Sequence, residues 1–167
     1  MSWETEYERW LENADDSLQA ELKAMDEASR EDAFYRDLAF GTGGLRGILG
    51  SGTNRMNTHV VGKASQGLSD YLNGSGIAPS VVIGYDSRIN SELFARTSAG
   101  VFAANGIRVW IWPELLPVPT VSYAVRHLRA SAGGDDHRVP QSQPVQRLQG
   151  VWAGRLSDHH GDGVGGA

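Results

Sequence analysis

Apolar positions recur at three- and four-residue spacing through the first 37 residues: Trp3, Tyr7, Trp10 and Leu11, then Leu18, Leu22 and Met25. That period predicts helices, because residues three and four apart share one helical face. Residues 15–17 offer an N-cap for a second segment, and Ser29 is expected to cap a third, with Asp32 as the acid of its first turn. Asp37 and the acids before it read as a solvated face. A longer amphipathic helix is expected from Asn57, its N-cap, to about Leu72, with Val60, Val61, Ala64, Leu68 and Leu72 as the apolar stripe. Gly74 is then available as a left-handed C-cap, and Lys63 reads as a surface charge. Residues 80–84, Ser-Val-Val-Ile-Gly, predict a buried strand. Residues 91–104 predict a helix with Leu93, Phe94, Thr97, Val101 and Phe102 toward the core, stopped by Asn105-Gly106. Residues 107–112 predict a second strand. Strand, helix and strand joined by short turns form a βαβ unit, so the two strands should be parallel with a right-handed crossover. A Pro-rich turn over 113–120 leads into another helix, with Pro119 expected at N1 and Val121, Ala124, Val125 and Leu128 along it.

Between the helical segment and this unit lies residues 40–52, Phe-Gly-Thr-Gly-Gly-Leu-Arg-Gly-Ile-Leu-Gly-Ser-Gly. Residues without a Cβ let a ligand approach bare backbone N–H groups, and Arg46 in their midst is a rigid fork of donors suited to phosphate or carboxylate. Two readings fit: a backbone cradle for an oxyanion, or a glycine-rich hairpin with Arg46 in solvent. A Walker loop is excluded, since no Gly is followed by Lys, and a Rossmann fingerprint starting at Gly41 would find Arg46 where its third Gly belongs.

Phe-Gly-Thr-Gly-Gly-Leu-Arg-Gly resembles the N-terminal signature of the α-D-phosphohexomutases, the phosphoglucomutase/phosphomannomutase family, and Gly-Ser-Gly-Thr-Asn-Arg-Met-Asn at 50–57 is similar to the branch holding phosphoglucomutase and phosphopentomutase. Gly-Tyr-Asp-Ser-Arg at 84–88 resembles the family's Gly-x-Asp-x-Arg block, and the Pro-rich turn resembles its Pro-x-Pro-Thr/Leu loop. The resemblance covers about residues 1–133. It implies an α/β fold: a three-layer αβα domain I, incomplete here and preceded by N-terminal helices over 1–39, with the α/β part over 40–133. It also implies a substrate- or phosphate-binding role for Thr42, Gly43, Gly44 and Arg46. Asp86 and Arg88 sit in the loop after the first strand, where α/β sheets bind ligands. A pair that organises this loop is favoured there over direct substrate contact. The small-molecule partner implied is a sugar phosphate. In the intact family the implied cofactors are Mg2+ and a sugar bisphosphate activator.

Charge and composition narrow the picture without changing it. A net charge of −5 gives no nucleic-acid or membrane surface. The absence of cysteine removes disulfide and thiolate chemistry. No apolar run reaches spanning length and the start is acidic, so a cytoplasmic protein is the expectation.

The resemblance stops at Gly133. The family continues with a third strand and Thr-Ala-Ser-His-Asn-Pro, whose serine carries the transferred phosphoryl group. Here residues 134–167 lose Phe, Tyr, Ile, Lys, Glu, Met, Asn and Thr entirely, and neither strand nor helix period is evident. A disordered tail is one expectation; a shifted reading frame is the other. Residues 134–141 can be written GGT GAT GAT CAC CGC GTC CCA CAA. One base on, the triplets spell Val-Met-Ile-Thr-Ala-Ser-His, and the following codons permit Asn and Pro. The codons spanning residues 145–152 permit Gln-Tyr-Asn-Gly-Tyr-Lys-Val-Tyr, again in family order. One extra base near the Gly133–Gly134 codons accounts for the whole run, with the serine codon straddling Val139 and Pro140. On this reading no catalytic residue is present, Ser142 is no substitute, and the later domains carrying the metal loop and sugar-selecting loop are missing. His159, His160 and Asp162 read as an adventitious metal tract rather than a site. Besides a mutase fragment, two alternatives stand: a non-catalytic sugar-phosphate binding module, and the non-functional product of a damaged gene or a sequencing slip, with an uncovered sheet edge and poor solubility.

Overall fold

A computed structural model of the chain describes residues 2–41, 44–74, 79–115, 117–136 and 145–152. Three short helices come first: α1 (Trp3–Asn13), α2 (Asp16–Ala24) and α3 (Glu27–Phe34). Asp15 caps α2, as expected, by accepting from Leu18 N at 2.8 Å. The cap of α3 is Asp26, which accepts from Ser29 N at 2.7 Å, so Ser29 lies inside the first turn instead of capping it. The three helices close on Leu22, Ala33 and Phe34, with Tyr7 and Trp10 edge-on to the Phe34 ring at 5.6 and 5.5 Å.

Strands β1 (Phe40–Gly41) and β2 (Gly44–Ile48) follow, then α4 (Thr58–Asn73), β3 (Ser80–Tyr85), α5 (Ser91–Ala104), β4 (Arg108–Ile111), α6 (Val118–His127), β5 (Ala132–Asp136) and β6 (Val145–Trp152). Asn57 caps α4 through Val60 N at 2.9 Å. Gly74 ends that helix at φ −70°, right-handed rather than left-handed, whereas Gly106 after α5 is left-handed at +74°. Pro119 sits one residue inside the start of α6, which begins at Val118, so it occupies the second helical position and not N1.

The strands form one mixed sheet in the order β1-β2-β6-β5-β3-β4. β3 pairs parallel with β4, as the βαβ reading expects, and parallel with β5. Alternate residues of β3 face opposite layers. Val81, Ile83 and Tyr85 pack with Leu72, Phe102 and Ile107 beneath α4 and α5. Val82 packs with Val121, Ala124 and Val125 beneath α6. That is the three-layer arrangement of an incomplete α/β domain. Leu93 departs from its expected core role, being half exposed while Phe94 is buried.

Beyond Gly133 two segments lie in the sheet, although neither strand nor helix period is evident there in the sequence. Residues 134–136 continue β5, and Val145–Trp152 forms β6 between β5 and β2, so the third strand is present and neither β3 nor β2 is left with an open edge there. Residues 137–144 and 153–167, with the histidine tract, lie outside the described residues. Strand pairing is a backbone interaction, so a segment flanked on both sides can complete two ladders without the alternation that marks a half-exposed strand. Gly133 contributes by its size. A Cβ there would lie 2.4 Å from Val125 Cγ2, so the bare backbone is what lets α6 lie down on β5.

Candidate functional site

The glycine-rich run is a tight hairpin. Phe40 pairs with Leu45 and Gly41 with Gly44. Thr42 and Gly43 lie outside the described residues. Gly44 takes φ +98°, a conformation that side chains resist, and so permits the return strand. Strand alternation then decides the next two residues. Leu45 turns inward and is buried with Met56, Val61 and Phe94, while Arg46 is exposed.

Arg46 stands at a defined place in the sheet. Leu45 pairs with Leu148 on β6, Leu148 with Asp136 on β5, and Asp136 with Tyr85 on β3. These four residues form one row across the sheet. β2, β5 and β3 all run the same way, because β6 is antiparallel to both of its neighbours. The residues one step further on are therefore Arg46 on β2 and Asp86 after β3, both beyond the same row at the carboxyl end of β3 and β5. Three strand spacings separate them, about 14 Å at roughly 4.8 Å each.

The loop after β3 is organised by its own charges. Arg88 Nε donates to both carboxylate oxygens of Asp86, at 3.0 and 2.9 Å, and Arg88 N donates to Asp86 Oδ1 at 3.0 Å. Asp86 N donates to Oγ of the fully buried Ser91 at 3.2 Å. The pair is largely withdrawn from solvent, at 10% exposure for the Arg88 side chain and 25% for Asp86. A charge-assisted hydrogen bond shared between both carboxylate oxygens, with a backbone amide beside it, fixes loop shape as well as adding energy.

Sequence reasoning missed the partners of residues 50–57. Ser51, Thr53 and Asn54 are buried, and Asn54 and Arg55 donate to carbonyls at the end of α3. The sequence signal was the Gly-Thr-Asn-Arg turn itself, but its partners are some twenty residues away. A separate cleft of about 430 Å3 opens between α1 and the start of α4, lined by Trp10, Thr53, His59 and Lys63 among others. Its charges are paired with each other, Lys63 with Asp37 at 2.6 Å and Arg9 with Glu6.

Among the described residues no group of three or more His, Cys, Asp or Glu side chains could hold a metal ion. Among the same residues no helix is long and apolar enough to cross a membrane.

Helices on both faces of a mixed sheet, with a glycine hairpin and Asp-x-Arg loop at one end, define a particular kind of α/β domain. Residues 37–133 match the family described as phosphoglucomutase/phosphomannomutase, alpha/beta/alpha domain I, and the chain belongs to that family. The chain is 39% identical over 125 residues to a phosphoglucomutase of Staphylococcus saprophyticus, covering 74% of this chain and 23% of that protein. A phosphoglucomutase of Staphylococcus haemolyticus is 35% identical over 127 residues, covering 75% and 23%. A crystal structure from Thermus thermophilus, assigned as a phosphomannomutase, superposes with a TM-score of 0.63 at 26% identity, covering 70% of this chain and 26% of that one. The chain thus spans under a quarter of the length of these two curated relatives.

Proposed function

We propose that residues 40–133 form the sugar-phosphate-gripping part of a phosphosugar mutase, and that the chain as read has lost the serine that would carry the phosphoryl group. The relatives are phosphoglucomutases by name. An intact enzyme of this kind would move a phosphoryl group between position 1 and position 6 or 5 of a sugar phosphate through an enzyme phosphoserine, in the cytoplasm. Phosphoryl transfer needs positioning and charge neutralisation more than protein-derived covalent chemistry. Thr42, Gly43 and Gly44 would offer backbone donors, and Arg46 a forked cation, to the phosphate oxygens. Asp86 and Arg88 would hold the neighbouring loop in shape.

The observation that carries this reading is the register. Arg46 and Asp86 lie one step beyond the same row, and the two strands between theirs, β5 and β6, are the ones that flank in sequence the residues spelling Ser-His-Asn-Pro when read one base over. Those two strands, Ala132–Asp136 and Val145–Trp152, coincide with the runs that become Val-Met-Ile and Tyr-Asn-Gly-Tyr-Lys-Val in the shifted frame.

Calorimetric titration of the 167-residue chain with a hexose bisphosphate should give binding that Arg46→Ala abolishes, while conversion of glucose 1-phosphate to glucose 6-phosphate stays at background. Turnover by this chain would overturn the loss of the serine. Binding without turnover also fits a non-catalytic binding module, a reading favoured by the sheet being complete through β6. Absence of heat from wild type and variant alike would leave only the product of a damaged gene.

A further inference from the structure

We propose that the carboxyl end of α3 and the turn at 50–57 form one positioning unit for β2, so that the helical layer, and not the sheet alone, sets where Arg46 stands. The last carbonyls of a helix lack partners within it, and α3 has no basic residue in its last turn to serve them. The turn supplies what α3 lacks. Asn54 N donates to Ala33 O at 2.9 Å, and Asn54 Nδ2 and Arg55 Nη1 donate to Asp32 O at 3.0 and 3.2 Å. Arg55 also pairs with the Asp32 carboxylate.

Gly52 makes this approach possible. It takes φ +126°, and a Cβ on it would lie 2.6 Å from Ala33 O and 2.8 Å from Ala33 Cβ. The obstacle includes main chain, so a side chain there cannot be relieved by a rotamer change. The turn then hands its position to β2, because Met56 N donates to Ile48 O at 2.8 Å and Gly50 N to Met56 O at 3.3 Å. Ile48 is the last residue of β2, two residues from Arg46. A second contact acts on the strand directly, with Leu38 Cδ1 and Cδ2 each 2.9 Å from where a Cβ of Gly47 would stand. Gly52 and Asn54 are thus positioning residues for the oxyanion site. Their bearing on phosphate rests on the reading of Arg46 given above, and their hold on β2 does not.

Amide hydrogen exchange on the full chain tests the hold. Gly52→Ala should speed exchange of residues 44–48 while leaving 94–102 in α5 unchanged. Asn54→Ala is the milder variant should Gly52→Ala fail to fold, and loss of its hydrogen bonds should raise local opening about tenfold. Unchanged exchange over 44–48, or equal acceleration in α5, would overturn the proposal. Phosphate affinity is the second readout. If wild type binds a hexose bisphosphate through Arg46, Asn54→Ala should weaken it while Arg46 remains in place, and equal affinity would overturn the link to the site. If wild type does not bind, the reading of Arg46 falls and the exchange result still decides the hold on β2.

Discussion

Arg46 on β2 and Asp86 after β3 stand one residue beyond the same row of paired strand positions, three strand spacings apart. The two differ in environment. Arg46 is exposed, whereas Asp86 is committed to Arg88 through both of its oxygens. A cation at the surface can turn to a ligand. A carboxylate held by a forked guanidinium and a backbone amide shapes the loop beside it.

Substitution should separate these roles. Arg46→Ala should leave thermal stability within about 0.5 kcal/mol of wild type, as for an exposed side chain. Asp86→Ala should cost about 1–3 kcal/mol, because it removes the carboxylate that accepts from Arg88 Nε and Arg88 N and holds the loop in shape. Denaturant melts of the two variants would check this, and equal stability would remove the organising role of Asp86.

The packing of α6 on β5 gives a second prediction. Gly133→Ala places a methyl group 2.4 Å from Val125 Cγ2, an overpacking that should cost about 1–3 kcal/mol. Val125→Ala on top of it should recover much of the loss, since it removes the obstructing methyl groups. A double-mutant cycle by chemical denaturation measures the coupling, and additivity would mean that α6 does not rest on β5 at this point.

The elements whose signals are local were legible in the chain. Asn57 caps α4, α5 runs over Ser91–Ala104, and β3 and β4 are parallel, each read from spacing within a dozen or so residues. Leu93 was misplaced because its apolarity fits the stripe while its position in the first turn of α5 leaves it half exposed. β6 was invisible for a different reason. Its partners are the distant strands β2 and β5, so pairing through main chain, rather than an alternating pattern, holds it in the sheet. The candidate site divides along the same line. The glycine run, its hairpin and Arg46 were evident within one stretch, but the shared row with Asp86 depends on register between distant strands, which no single stretch encodes. The donors that Asn54 and Arg55 send to α3 are non-local in the same sense.

Acid should loosen the start of α3. Hydrogen bonds from the side chain and backbone of Ser29 hold the Asp26 carboxyl below its ordinary value. A folded-state value below the unfolded one means the cap stabilises fully above the ordinary carboxylate range, and its contribution fades as pH falls through that range toward the lower folded value. Asp26→Asn should therefore flatten the acid limb of a stability–pH curve. A variant with the same acid limb as wild type would show that this cap is not among the groups that set it.

The loss of the phosphoryl-carrying hydroxyl by a slipped base, with the glycine cradle kept, is tested most directly by reading the nucleotides that encode residues 133–152. The account predicts that removing one base near the Gly133–Gly134 codons yields Val-Met-Ile-Thr-Ala-Ser-His-Asn-Pro and an open frame running beyond codon 167. Triplets that cannot spell that serine motif one base over would contradict it.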